Sequence, residues 1–283
     1  MLPVDSSEMS KKAVLFAMNM FADSAELTLL HVIHPIPSER VTRYVGPHQI
    51  ELLQREEADH QLVEVKDVVE QGNTPYELRI EFGEPATTIS TIADQQADLV
   101  VMGTHGYGRV SGYLLGSMSY KTLANVHKPV VLVPKEADVT NPVKQILVAV
   151  DGSDHARRAL DEAIHLAKRT GAHITLATVV TPPVAYTGIS VEVVSMVDQE
   201  ELLNIGKEIL TRYENVLIDY QVPYSTRVEV GYPAYMLRQI ADETQADLIA
   251  LGHHGLNWMA EAIMGSVTYK MIHGTKTPLL IVK

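Results

Sequence analysis

Cysteine is absent from the 283 residues. That removes disulfide frameworks, thiolate zinc sites, iron–sulfur clusters and cysteine nucleophiles, and it fits a reducing compartment. No block of basic residues occurs either. Residues 1–140 carry 11 basic and 19 acidic side chains, residues 141–283 carry 12 and 16, and the formal net charge is −12. Electrostatic capture of nucleic acid or of an anionic membrane is therefore not expected. No apolar run approaches the ~20 residues of a membrane span. The first residues, MLPVDSSEMSKK, lack a basic stretch followed by an apolar one, so no signal peptide is expected and the cytoplasm is the expected address. Also missing is G-x4-G-K-S/T, which excludes a P-loop NTPase. What is present is an ordinary globular mixture, 46% apolar and 20% charged, long enough for two domains at ~150 residues each.

The chain repeats itself. LPVDSSE (2–8) matches VAVDGSD (148–154), and LTLLHVI (27–33) matches ITLATVV (174–180). EFGEPA (81–86) returns as EVGYPA (229–234), and ADLVVMGTHG (97–106) as ADLIALGHHG (246–255). LLGSMSYK (114–121) returns as IMGSVTYK (263–270), and KPVVLV (128–133) as KTPLLIV (276–282). The order is kept and the offset drifts only between 146 and 149, so the period is that of a domain, not of a solenoid unit. Two domains, 1–137 and 143–283, are expected with a short linker at 138–142.

In the second copy, QILVAV (145–150) is a short continuous apolar run, which reads as a strand buried on both faces. Ala156, Leu160, Ala163, Ile164 and Ala167 then fall at helical spacing, closed by Gly171. HITLATVV (173–180), STRVEVG (225–231), ADLIALG (246–252) and PLLIV (278–282) read as further strands. Helices are expected between them, over about 192–217, over 233–245 and from Ser266. Strands alternating with helices predict an α/β fold: in each copy a five-stranded parallel, doubly wound sheet with helices on both faces. The first copy follows suit, although only Leu2, Pro3 and Val4 precede Asp5 in its first strand. ELLQREEADHQLVEVKDVVEQ (51–71) reads as one charged amphipathic helix with a solvated face.

Ligands of such sheets sit outside the carboxyl ends of the strands, at the switch point. There the first copy has Asp5, then Gly103, Gly106, Gly116 and Ser117, and the second has Asp151, then Gly252, Gly255, Gly265 and Ser266. Both obey G-x2-G-x9-G-S. A glycine after a strand is by itself only a turn signal, but two copies at one spacing ask for a common cause. A first glycine permits positive φ and close backbone approach, a second lets the loop wrap a phosphate, and the last opens a helix whose N–H groups attract anions. Arg109 lies in the first loop as a candidate phosphate donor, whereas Asn257 and Trp258 stand in the matching region of the second. His253 and His254 are adjacent, and His105 matches His254; a loop or nucleotide contact is favoured over a metal, and no protein metal site is expected.

With these motifs, VD(S/G)S after the first strand, G-x2-G-x9-G-S after the fourth and the closing PVVLV-type strand, the chain resembles a tandem universal stress protein nearly end to end. The resemblance implies an adenine nucleotide alpha hydrolase-like, Rossmann-like sheet and an ATP-binding branch. It carries the nucleotide site onto Pro3, Val4, Asp5, Val32, Gly103, Gly106, Gly116, Ser117 and Met118. In the second copy it falls on Ala149, Val150, Asp151, Val179, Gly252, Gly255, Gly265, Ser266 and Val267. ATP is the implied ligand, with AMP or ADP as alternatives and magnesium held mainly by the phosphates. The resemblance also implies that PVVLV (129–133) and PLLIV (278–282) pair within the chain as a pseudo-dimer; whether chains form a homodimer is left open. The expected function is that of a nucleotide-dependent regulatory or stress-response protein. A very slow ATPase or phosphotransferase, and a structural stress protein with empty clefts, are the alternatives. With at most one arginine per loop, turnover is expected to be absent or weak.

Overall fold

A computed structural model describes residues 1–21, 25–34, 46–72, 74–106, 115–182, 198–254 and 264–283. Arg109, Gly255, Asn257 and Trp258 lie outside the described residues. Two compact units divide the chain, Met1–Pro142 and Val143–Lys283.

The second unit is the more regular. Its strands are β6 (Gln145–Ala149), β7 (His173–Val180), β8 (Tyr224–Val230), β9 (Leu248–Gly252) and β10 (Leu279–Val282). They pair in parallel in the order β8-β7-β6-β9-β10, with Ile146 opposite both Ile174 and Leu248. Leu147, Val148, Ile249 and Leu280 are wholly buried, as continuous apolar strands covered on both faces must be. Helix α6 (Asp154–Thr170) starts where Ser153 Oγ accepts the Ala156 N–H at 3.2 Å. It buries its alanine-rich stripe against β9 and β10 and stops at Gly171, whose φ of 68° only glycine adopts without strain. Helix α7 (Gln199–Asp219) covers β7 and β8, α8 (Pro233–Glu243) covers β6 and β7, and α9 (Ser266–Ile272) packs on α8. The long helix expected over 192–217 is described from Gln199, capped by Asp198.

The first unit repeats this plan with β1 (Leu2–Pro3), β2 (Leu27–Ile33), β3 (Tyr76–Phe82), β4 (Val100–Gly103) and β5 (Val130–Val133), all parallel. Its sheet is not one continuous ladder. β1 of the β1-β2-β3 part lies against β4, and the hydrogen bonds there are made by Met1, whose carbonyl accepts from Val101 N–H at 3.0 Å and whose amine donates to Leu99 O at 2.9 Å. The short β1, with a proline that has no N–H, can do no more. Helices α1 (Glu8–Phe21), α2 (Pro47–Gln61) and α3 (Val63–Gln71) lie on one side of the winding. The other side has α4 (Pro85–Gln96) and α5 (Ser117–Asn125), which pack on each other. Right-handed crossovers that advance from β1 to β3 and then return to β4 put helices on opposite faces.

One expectation fails. Residues 51–71 do not form a single helix: α2 and α3 are separated at Leu62 (φ −92°, ψ 2°). Leu62 is fully buried, together with Val65 and Val69, whereas Leu52 and Leu53 of α2 are half exposed. The break lets the second segment turn its apolar stripe onto α1. Among the described residues no helix is long and apolar enough to cross a membrane.

Candidate functional site

In both units a carboxylate leaves the first strand and is tied to the helix that follows. Asp5 Oδ1 accepts from the Ser7 N–H (3.0 Å), from Ser10 Oγ (2.7 Å) and from Ser7 Oγ. Ser10 Oγ in turn accepts the Asp5 N–H at 2.9 Å. Asp151 Oδ1 accepts from the Ser153 N–H (3.0 Å) and Ser153 Oγ (2.6 Å). The serine two residues beyond the aspartate is thus what the repeated D-x-S provides: it fixes the carboxylate at the mouth of the sheet.

The motif glycines answer to space, not to torsion. Neither Gly103 nor Gly252 has a positive φ, contrary to the first rationale given for them. A Cβ on Gly103 would stand 2.8 Å from Met9 Cβ, and one on Gly252 would stand 2.7 Å from both the carbonyl carbon and Cβ of His155. Each therefore lets a strand end press onto the first turn of α1 or α6. Gly106 differs, since its Cβ would meet only Asp5, at 2.7 Å from Oδ2. Here the loop passes directly over the carboxylate.

The last helix of each unit begins at a residue with no side chain, Gly116 for α5 and Gly265 for α9, and no side chain caps either start. Helices α4, α6 and α7 are capped, by Glu84, Ser153 and Asp198, whereas α2, α3 and α8 also start without a side-chain cap. Uncapped first-turn amides leave N–H donors that an anion can accept. The turn itself is held by Gly116 N–H to Thr104 O (2.8 Å) and by Gly265 N–H to His253 O (2.9 Å).

Two hydroxyls escaped the sequence reading. Ser119 Oγ donates to Gly103 O at 3.0 Å and Thr268 Oγ1 to Gly252 O at 2.9 Å, clasping the fourth strand to the last helix. Their signal was a hydroxyl retained in both copies two residues after G-S. Both are buried, so Ser119→Ala and Thr268→Val should each cost about 1 kcal/mol of unfolding free energy, read by urea titration. Ser119→Thr should restore the loss.

The first cleft, about 290 Å³, collects nine of the expected residues. Pro3, Val4 and Val32 give it apolar lining together with Ile89 and Met102, and Asp5, Gly103, Gly106, Gly116, Ser117 and Met118 complete it. His105 lines it too, its Nδ1 3.0 Å from Thr104 Oγ1 and its Nε2 buried without a partner among the described residues. The second cleft, about 930 Å³, collects Ala149, Val150, Asp151, Val179, Gly252, Gly265, Ser266 and Val267. His254 lines it, 3.0 Å from His253 by their Nδ1 atoms. Burial, then His254, Lys283 and His155, lower the His253 pKa to about 4. Burial also lowers that of His155, helped by Arg158. His253 and His155 are thus held toward their neutral forms. Among the described residues no three His, Asp or Glu side chains converge as a metal site would require.

The description "Universal stress protein family" matches residues 1–134 and again 142–283. A universal stress protein of Mycolicibacterium smegmatis is 29% identical over 294 aligned positions, 99% of this chain and 95% of that one. The crystal structure of a universal stress protein from Archaeoglobus fulgidus has the same fold, with a TM-score of 0.69 at 24% identity over 100% of this chain and 95% of that one. With a repeated switch-point site and a family match that runs through each copy, the chain belongs to the universal stress protein family and carries two of its domains in tandem.

Proposed function

We propose that each unit binds an adenine nucleotide, ATP first among them, and that the protein acts as a nucleotide-dependent regulator and not as a catalyst. One observation supports this most: a tethered carboxylate, an apolar wall and the uncapped start of the last helix recur together in both clefts. The apolar wall, Val4 and Val32 or Val150 and Val179, suits a purine face. Asp5 and Asp151 suit polar groups at the nucleoside end. The Gly116–Ser117 and Gly265–Ser266 turns offer main-chain N–H groups to phosphate oxygens, which accept them whatever the net charge of the protein. Magnesium would be carried mainly by the phosphates, with few protein ligands. Among the described residues lining the first cleft there is no lysine or arginine to neutralise a γ-phosphate, which favours binding over turnover.

Denaturing the purified protein and chromatographing what it releases tests the reading. Intact ATP, approaching two per chain, is expected, with no phosphate release over hours. ADP with continuing release would move the reading to a slow ATPase, and a chain that neither carries nor binds nucleotide would end it. Asp5→Asn together with Asp151→Asn should weaken ATP binding by about tenfold or more, the effect of a hydrogen bond to a charged group.

A further inference from the structure

The two clefts share a plan but not a size: the second also takes in Val180, Thr181 and Ile209, and it has a further extension that the first lacks. Beyond the strand ends the second cleft continues between α8 and α9, along Arg238, Tyr269, Lys270, His273 and Gly274. Seven helical residues rise about 10 Å, so this limb runs the full length of α9, well past the Gly265–Ser266 turn. The first cleft, lined by Pro85 and Ile89 of α4 and by α5 only from Ser117 to Ser119, has no such limb.

Substitutions between the copies account for the limb's chemistry. Arg238 stands where the first copy has the buried Ser90, and its guanidinium lies over Gly274, where a Cβ would push it aside. Lys270 matches Lys121. In the first unit, Glu84 faces that lysine: the Thr87 amide, and after it Lys121, hold its carboxyl below the usual range. The second unit has Tyr232 in that position and Tyr235 in place of Thr87. Neither Arg238 nor Lys270 forms an ion pair among the described residues, and Asp151 is the sole carboxylate among those lining the cleft. Tyr232 is 75% exposed and Tyr235 54%, and Tyr269 meets His273 edge-on at 4.2 Å. Two unpaired cations beside open aromatic faces suit an anionic group that carries a ring.

We propose that the second unit takes a dinucleoside polyphosphate, with one nucleoside against Val150 and Val179 and the far phosphates and second base in the α8–α9 limb. This rests on the adenine-nucleotide reading above. The first cleft, a third of the volume and with no lysine or arginine among its described lining residues, accommodates a mononucleotide only.

Titration calorimetry on the full chain, stripped of nucleotide, against ATP and against diadenosine tetraphosphate decides it. One site per chain should bind the dinucleotide at least tenfold tighter than ATP. Tyr232→Glu with Arg238→Ser, which writes the first unit's residues into the limb, should erase that advantage and leave ATP affinity within twofold. Lys270→Gln, at an exposed position, should reduce it at least threefold. Equal affinity for the two ligands in the unmodified protein overturns the proposal. So does an advantage that survives both variants, which would leave Arg238 the plain role of a cation at the carboxyl end of α9. Failure of ATP and dinucleotide alike would bring down the nucleotide reading itself, an outcome distinct from binding without preference.

Discussion

Gly252→Val should cost the second unit about 3 kcal/mol, while Gly106→Ala, in the same motif of the other copy, should cost only about 1 kcal/mol and yet impair the cleft. A side chain at 252 has nowhere to go. Its first carbon stands 2.7 Å from the main chain of His155, and the strand end must lift off α6 or the helix must shift. Overpacking against backbone falls at the upper end of the usual penalty, roughly 3 kcal/mol. For a unit of this size that lowers the melting temperature by on the order of 10 °C. At Gly106 the obstacle is the Oδ2 end of the Asp5 carboxylate, which can move aside by giving up its hydrogen bonds from Ser7 and Ser10. Calorimetric melting should therefore fall by only about a third as much. The first cleft should nonetheless lose its aspartate and bind nucleotide about tenfold more weakly. Equal melting losses in the two variants, or a Gly106→Ala protein with two undiminished sites, would refute this division of roles.

The second large effect is one of acidity. His253 is 4% exposed and its pKa is lowered to about 4 from 6.5, burial being the main cause. Between those two values the unfolded chain takes up a proton that the folded chain refuses. Stability therefore falls as the pH drops from about 6.5 to 4, by an amount on the order of 3 kcal/mol. His253→Thr supplies the hydroxyl that the first unit carries at Thr104, where it meets His105, and removes the titrating group. Guanidinium unfolding of both proteins at several pH values between 7 and 4.5 should show the wild type losing ground steadily to the variant. Parallel curves would mean that His253 is protonated in the fold without penalty.

Much of this was readable before any coordinates. The duplication follows from matched segments alone. The strands are legible because a strand covered on both faces must be apolar throughout, as in PVVLV and LIALG. The nine described site residues of the first copy, and eight of the second, gather in one cleft each because they sit at the ends of neighbouring strands, where topology sends them. What escaped has physical causes. The interruption at Leu62 is not marked by glycine or proline; it arises from tertiary burial of a leucine whose neighbours on α2 remain wet. Positive φ was the wrong reason for Gly103 and Gly252, because a sequence does not say which helix a strand end will touch. The split first sheet depends on single hydrogen bonds at Met1. The wider second cleft depends on Arg238 and Tyr232, whose change from Ser90 and Glu84 passes for ordinary surface drift until the α8–α9 groove is seen.

Clefts of about 290 and 930 Å³ on one polypeptide have a consequence for dosage. Each round of translation makes one of either kind, and each proteolytic event removes one of either kind. Their ratio in the cell is thus immune to promoter strength, copy number and turnover, which separate genes for the two could not guarantee.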